Sequence, residues 1–447
     1  MVVGRLIRAL DRPQDAASSS GFRILFGALM FVSTVRFLNH GWVALCYQRP
    51  AWFFPYWGFR WVRPLPGIGM YVLYAVIAMA SLCILVGIAY RAAAGVFALG
   101  FSYAHLCDKT NYLNHYYLIS LIACLFCVLP LDREFSVRVW RHPGERRGQL
   151  RAWVLYLLRF QIGVVYVFGG IGKLGSDWLL HGEPLRIWLA ANGELPVLGQ
   201  VLVQPWAGLA FSWCGALFDL SIVPLLSWRV TRAPAYAVLI VFHVLTALLF
   251  NIGMFPWVMI LSATIFWPAS WPRQLQSWLG RAALPPNGVA GAPLGRVARL
   301  CAAAYAAVQL FLPLRSSLYP GNTLWTEEGF RFAWKVMLIE KAGALELNVV
   351  DKTGRRFLVL PRDHLTPTQA RMASTQPDMI LELAHLVAQD FAARGYGPVQ
   401  VYADSEVSFN GRRSQRMIDP KVDLAAQSDT LRPKTFILPA PTQAPEF

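Results

Sequence analysis

Residues 168–178 read FGGIGKLGSDW. Lys173 follows a long apolar run and stands among Gly169, Gly170, Gly172 and Gly175. Two readings of such a lysine compete. At the end of a membrane helix its long stem reaches for water. An amine kept dry and uncharged is instead a general base. The orientation of Asp177, four residues on, matters, because a nearby carboxylate keeps an amine protonated.

Lys173 belongs to a stripe. Arg159, Tyr166 and Lys173 are spaced i, i+7, i+14, a drift of only about 40° around a helix. Gly163 and Gly170 lie between them, and small residues permit close helix approach. Asp219, in the next apolar run, lies at the same estimated depth as Arg159, roughly 10–14 Å. The two are expected to form a structural ion pair locking two helices, since ionisable groups inside a bilayer are costly unless paired. Asn111, Asn114 and His115 share one side of a further helix, and His243 and Asn251 lie on another. Counting spans brings all three polar clusters to one outward-opening site.

The elements that hold these residues are membrane helices. The chain has 447 residues, 56% of them hydrophobic and 15% charged, with a mean hydropathy of +0.42. That is too apolar for an ordinary soluble enzyme. The net charge of +16 does not indicate nucleic acid, because the basic residues fall between apolar runs. Nine runs approach spanning length: 22–38, 68–90, 92–106, 112–130, 152–171, 206–228, 234–252, 254–267 and 297–314. The third and eighth are short. Arg5, Arg8 and Arg12 precede the first run without a small-residue cleavage site, so it reads as a retained helix. Arginines concentrate in alternate connections, a positive-inside pattern that leaves residues 315–447 outside.

Residues 315–439 differ in kind. Segment 345–361 reads as two strands about a turn at Asp351–Gly354, 379–395 as a helix stopped by Gly395, and 399–409 as a strand. The expected architecture is thus a polytopic all-α membrane bundle (1–314), an α+β extramembrane module (315–439) and a disordered tail (440–447). Seven cysteines lie outside the module, so no disulfide staples it. Cys124 and Cys127 sit inside a helix without further ligands nearby, and no metal is expected.

RPLP (63–66), DKTNYLNHYYL (108–118), LRFQIGVVYVFGGIGKLGSDW (158–178), LFDLS (217–221), FHVLTALLFNIGMFPWVM (242–259), WTEEGFRFAW (325–334) and VSFNGRRSQRMIDPKVD (407–423) occur in order. On these motifs the chain resembles the vitamin K-dependent gamma-glutamyl carboxylase family, within the HTTM-type membrane proteins. The resemblance implies an enzyme that oxidises vitamin K hydroquinone with dioxygen, generating a base strong enough to remove a glutamate γ-proton. Carbon dioxide then adds, and the quinone leaves as its epoxide. It implies that Lys173 is the initiating base, that Asn114 and His115 hold the quinone oxygens, and that His243 lines the pocket; Tyr166, on the stripe with Lys173, is expected to bind the quinone with them. Trp325, Gly329 and Trp334 would border the glutamate site. Arg416, Asp419 and Pro420 match a motif of the extramembrane module. The implied partners are a glutamate-containing protein or peptide, a lipid-borne quinone and the membrane, with no nucleic acid. The Arg/Ala-rich composition points to a bacterial cell (inner) membrane with the module outside the cytoplasm.

Departures from the family pattern keep other readings open. Gly172 stands where vertebrate members have a second lysine, Lys335 replaces an acid, and no histidine occurs near Ile339. The alternatives are a quinol epoxidase without glutamate carboxylation, or a non-catalytic HTTM-type membrane binding or immunity protein.

Overall fold

The computed structural model describes residues 2–290 and 293–446. A helix occupies each of the nine apolar runs: α1 (Ala17–Asn39), α2 (Gly69–Val86), α3 (Tyr90–Leu106), α4 (Asn114–Val128), α5 (Ala152–Gly172), α6 (Pro205–Ser227), α7 (Arg232–Leu249), α8 (Phe255–Ala263) and α9 (Arg296–Leu314). Six are long and apolar enough to cross a bilayer: α1, α2, α5, α6, α7 and α9. Where the sequence suggests about nine spans, six of the runs are therefore candidates by length and composition. α4 has 15 residues and α8 nine. At 1.5 Å per residue these reach about 22 Å and 14 Å, short of a roughly 30 Å hydrocarbon core.

Local chemistry sets the helix ends. α2 stops at Gly87, which takes the left-handed conformation (φ 74°) that glycine adopts without steric cost. α6 begins with Pro205 in its first turn, where a missing N–H loses nothing. α8 and the 3-10 turn after it end inside the bundle, leaving carbonyls that need donors. Arg159 supplies them: its Nε donates to Ile265 O at 2.9 Å, and a terminal nitrogen donates to Trp267 O at 3.2 Å.

The expected Arg159–Asp219 pair therefore does not form. Equal distances from the helix ends do not give equal depths here, because neighbouring helices do not end at one level. α5 and α6 instead meet at Gly169 and Gly170 against Asp219 and Leu220, so Asp219 faces the outer end of α5. Arg159 lies more than two turns away along that helix.

The module is a four-stranded antiparallel sheet in the order β2-β1-β3-β4, comprising β1 (Lys341–Val350), β2 (Arg356–Val359), β3 (Gln400–Phe409) and β4 (Arg412–Arg416). α10 (Pro367–Ala373) and α11 (Pro377–Ala393) accompany it. Leu345, Leu347 and Val349 alternate inward along β1 and share a core with Met379, Leu383 and Val387 of α11. The sequence pattern predicts β1, β2, β3 and α11 within a few residues. It missed β4, whose RRSQR has no apolar alternation, and α10, which a Thr366–Gln369 capping box starts. Residues 440–446 lie along the β3–β4 hairpin, where Gly411 O accepts from the Glu446 N–H at 3.1 Å.

Buried charges stitch module to bundle. Lys109, just before α4, lies 2.7 Å from Asp378 and 2.9 Å from Glu382 of α11. Within the module, Arg331 lies 2.6 Å from the same Asp378.

Candidate active site

Lys173 is the C-cap of α5, its N–H bonded back to Gly170 O at 3.0 Å while the Leu174 N–H bonds to Ile171 O at 3.1 Å. Its ammonium lies 2.6 Å from Asp219 Oδ2 of α6 and 3.4 Å from Gly169 O. Only 7% of the residue is exposed, and the Trp178 ring centroid lies 5.3 Å from Nζ. The turn keeps the amine inside rather than letting it reach water.

The close helix crossing makes this contact possible. A Cβ at Gly170 would stand 2.8 Å from Leu220 side-chain carbons and 3.1 Å from its backbone nitrogen. Asp177 is turned away from the amine. Arg412 holds it at 2.6 Å and Asn410 donates to it at 3.0 Å, both from the β3–β4 hairpin.

Lys173 and Asp219 face a chamber of about 80 Å³ whose other walls are almost entirely apolar, including Phe211, Phe242, Phe250, Phe255 and Met259. Tyr166 and His243 share it, with the Tyr166 hydroxyl 3.0 Å from His243 Nε2. The other ring nitrogen of His243, Nδ1, is buried without a partner. Four polar residues from α5, α6 and α7 thus converge on one dry space.

Asn114 and His115 line a different, wider cavity of about 680 Å³ beneath the module. Asn114 Nδ2 donates to Lys335 O at 3.1 Å, and its Oδ1 accepts from the Tyr112 hydroxyl at 3.0 Å. His115 is buried against Tyr116 and Phe255. The two cavities share a wall of Ile252, Phe255, Val336 and Met337. Phe255 stands between the histidines, its ring centroid 6.1 Å from His115 and 5.9 Å from His243.

The segment from Trp325 to Ile339 forms much of this region without every residue touching it. Trp325 lies in the module core, its Nε1 donating to Leu438 O at 2.8 Å. Trp334 is buried in the bundle core and stacks on Tyr117. Gly329, at φ 70°, borders a third cavity of about 270 Å³ on the far side of the segment. Val336 and Met337, which sequence reasoning overlooked, form the partition instead. Their one signal was the apolar run Val336–Ile339 that follows Lys335.

Six membrane-competent helices under an α+β module make this a multi-pass membrane protein. Its residues 11–271 match the family model described as HTTM domain, which covers more than half of the chain. Residues 295–443 match the model described as vitamin K-dependent gamma-carboxylase, lumenal domain. The chain belongs to the vitamin K-dependent gamma-carboxylase family. Membership supports a vitamin K-dependent carboxylase function and implies vitamin K hydroquinone, dioxygen, carbon dioxide and a glutamate-containing acceptor. No solved structure matches the chain.

Proposed function

We propose that the protein is a vitamin K hydroquinone-dependent peptidyl-glutamate 4-carboxylase, a carbon–carbon lyase by class, that couples carboxylation to quinone epoxidation. The observation that carries this reading is the buried Lys173–Asp219 pair in an apolar chamber sharing a wall with the Asn114–His115 cavity. The residues present fit a reduced naphthoquinone. Aromatic walls suit a fused ring, and the unpartnered His243 Nδ1 offers a hydrogen bond to a hydroxyl. The chamber of about 80 Å³ has room for only a few water-sized molecules. A two-ring quinol therefore needs more room than the chamber alone offers, and Phe255 and Met337 mark where it adjoins the wide cavity.

When bound, the quinol with dioxygen supplies a far stronger base than any side chain. The protein's own part is to start that chemistry and keep it dry. Lys173 and Asp219 hold one proton between them as a neutral pair and accept a second from the quinol hydroxyl. Whether it rests on Nζ or on a carboxylate oxygen, the pair ends one unit positive beside the new anion and stabilises it at short range. The base is thus a dyad, not an isolated neutral amine. Asn114 and His115 orient the ring from the other side, and the apolar walls exclude water from the strong base.

Trp325, Gly329 and Trp334 hold the segment that separates the reacting spaces, with Gly329 supplying a left-handed turn. The positive-inside pattern supports a module outside the cytoplasm, and composition supports a bacterial cell membrane. Lys335 in place of an acid favours one second reading, a quinol epoxidase acting on another acceptor.

Purified protein given reduced vitamin K, a glutamyl peptide and labelled bicarbonate tests both. Epoxide with labelled peptide is expected. Epoxide alone would favour the second reading, and neither product would leave a binding or immunity protein. Lys173→Ala is expected to abolish epoxide in a folded protein, and normal turnover there would remove Lys173 from the mechanism.

A further inference from the structure

Six cationic side chains line the wide cavity: Arg36, Lys109, Arg331, Lys335, Lys341 and Arg371. Three are neutralised by carboxylates. Lys109 meets Asp378 and Glu382, Arg331 meets Asp378, and Lys341 meets Glu327 at 2.8 Å. The other three have no carboxylate within 4.0 Å among the described residues. Glu340 also lines the cavity, but its carboxylate accepts from Trp188 Nε1 at 2.6 Å.

Of the three, Lys335 is placed most tellingly. Its backbone carbonyl is held by Asn114, and the next two residues, Val336 and Met337, form the partition to the Lys173 chamber. The side chain is partly buried without a counterion, and burial pushes its pKa below the usual lysine value. A partly desolvated cation with no partner is unfavourable until an anion arrives. Arg36 is fixed on α1 with its guanidinium 4.7 Å from the Trp42 ring centroid, and Arg371 is exposed on α10.

We infer that Lys335 receives the side-chain carboxylate of an acidic peptide in the wide cavity, with Arg371 and Arg36 drawing the flanking acidic residues. This rests on the carboxylase reading and specifies how the acceptor is chosen in a chain that carries a lysine where the family pattern has an acid. A cavity of about 680 Å³ is far larger than bicarbonate needs, and cations on three separate elements suit an extended segment. Lys335 therefore sets preference for acidic acceptors and presents the carboxylate next to the partition, within one side chain of the dyad's chamber.

The test is peptide binding to the full-length protein in lipid nanodiscs without quinol, read by anisotropy of a labelled glutamyl peptide and its glutaminyl counterpart. The wild type is expected to prefer the glutamyl peptide. A hydrogen-bonded charge pair contributes about 1.5–3 kcal/mol, so Lys335→Met is expected to weaken that peptide roughly 10- to 100-fold. The glutaminyl peptide should be little affected. Lys335→Arg should restore most of the preference, and Lys335→Glu should shift it towards a lysyl peptide.

Glutamyl-peptide affinity unchanged in a folded Lys335→Met protein would overturn the proposal. So would a bicarbonate dependence altered in that variant while peptide affinity stays the same, because the anion would then be bicarbonate. The outcomes separate from those of the carboxylase reading. A Lys335-dependent preference with no epoxide or labelled peptide would sink that reading alone. Full carboxylation with no such preference would sink the Lys335 assignment alone.

Discussion

Lys173 and Asp219 each make the other tolerable. Removing one member of a buried ion pair strands the other and typically costs about 3–5 kcal/mol, whereas replacing both with apolar groups of similar volume is often neutral or stabilising. Asp219→Leu is therefore expected to lower the thermal midpoint markedly, and Lys173→Met/Asp219→Leu to recover most of the loss while making no epoxide. A double variant as unstable as the single one would show that the pair does not act as a unit. Arg159 should not share this coupling. Its partners are backbone carbonyls of the turn that follows α8, so a cycle pairing Arg159→Met with Asp219→Leu should be additive.

At the scale of elements, the dyad depends on how closely α5 and α6 approach. The two glycines the sequence placed on one stripe differ in the space around them. A Cβ at Gly163 would meet Val223 at an ordinary 3.5 Å, whereas one at Gly170 would press on the Leu220 backbone at 3.1 Å. Gly170→Ala is expected to destabilise by about 1–3 kcal/mol, as overpacking does, and to cut epoxide formation by moving Asp219 away from Lys173. Gly163→Ala should change both far less. Equal effects of the two substitutions on thermal midpoint and turnover would refute this packing argument. The glycines thus had two meanings that spacing could not separate: one allows backbone contact, the other faces a yielding valine. The β3–β4 hairpin shows the same limit. RRSQR carried no strand signal, yet Arg412 at its start removes Asp177 from the amine's surroundings.

Over the whole molecule, the junction of bundle and module is charged and buried, which makes its stability depend on pH. Burial opposes ionisation of Asp378, but Arg331 and Lys109 outweigh it and hold the carboxyl well below the usual range. Glu382 is pushed up to about 7, by burial first, since Lys109 already shares its charge with Asp378. The signs differ. Asp378 contributes stability above its unfolded value of about 3.9, lost only as pH falls below that. Glu382 binds its proton more tightly folded than unfolded, so stability declines as pH rises from about 4.3 to about 7. Glu382→Gln keeps the shape and removes that decline. The difference in thermal midpoint between variant and wild type should grow across this window and level off above it. A difference flat with pH would show that Glu382 does not titrate there.

The sequence by itself determined what is periodic or one-dimensional. That covers the apolar runs and their charge asymmetry, the stripe from Arg159 through Tyr166 to Lys173, the alternating strands of the module, and the motifs that mark the family. Tertiary structure alone decided which charge meets which. Spacing gives position along a helix, but the partner of a buried charge depends on the level and angle at which two helices cross. That crossing gave Asp219 to Lys173, left Arg159 to the carbonyls of the turn after α8, and set Asn114 and His115 in a cavity of their own behind Phe255.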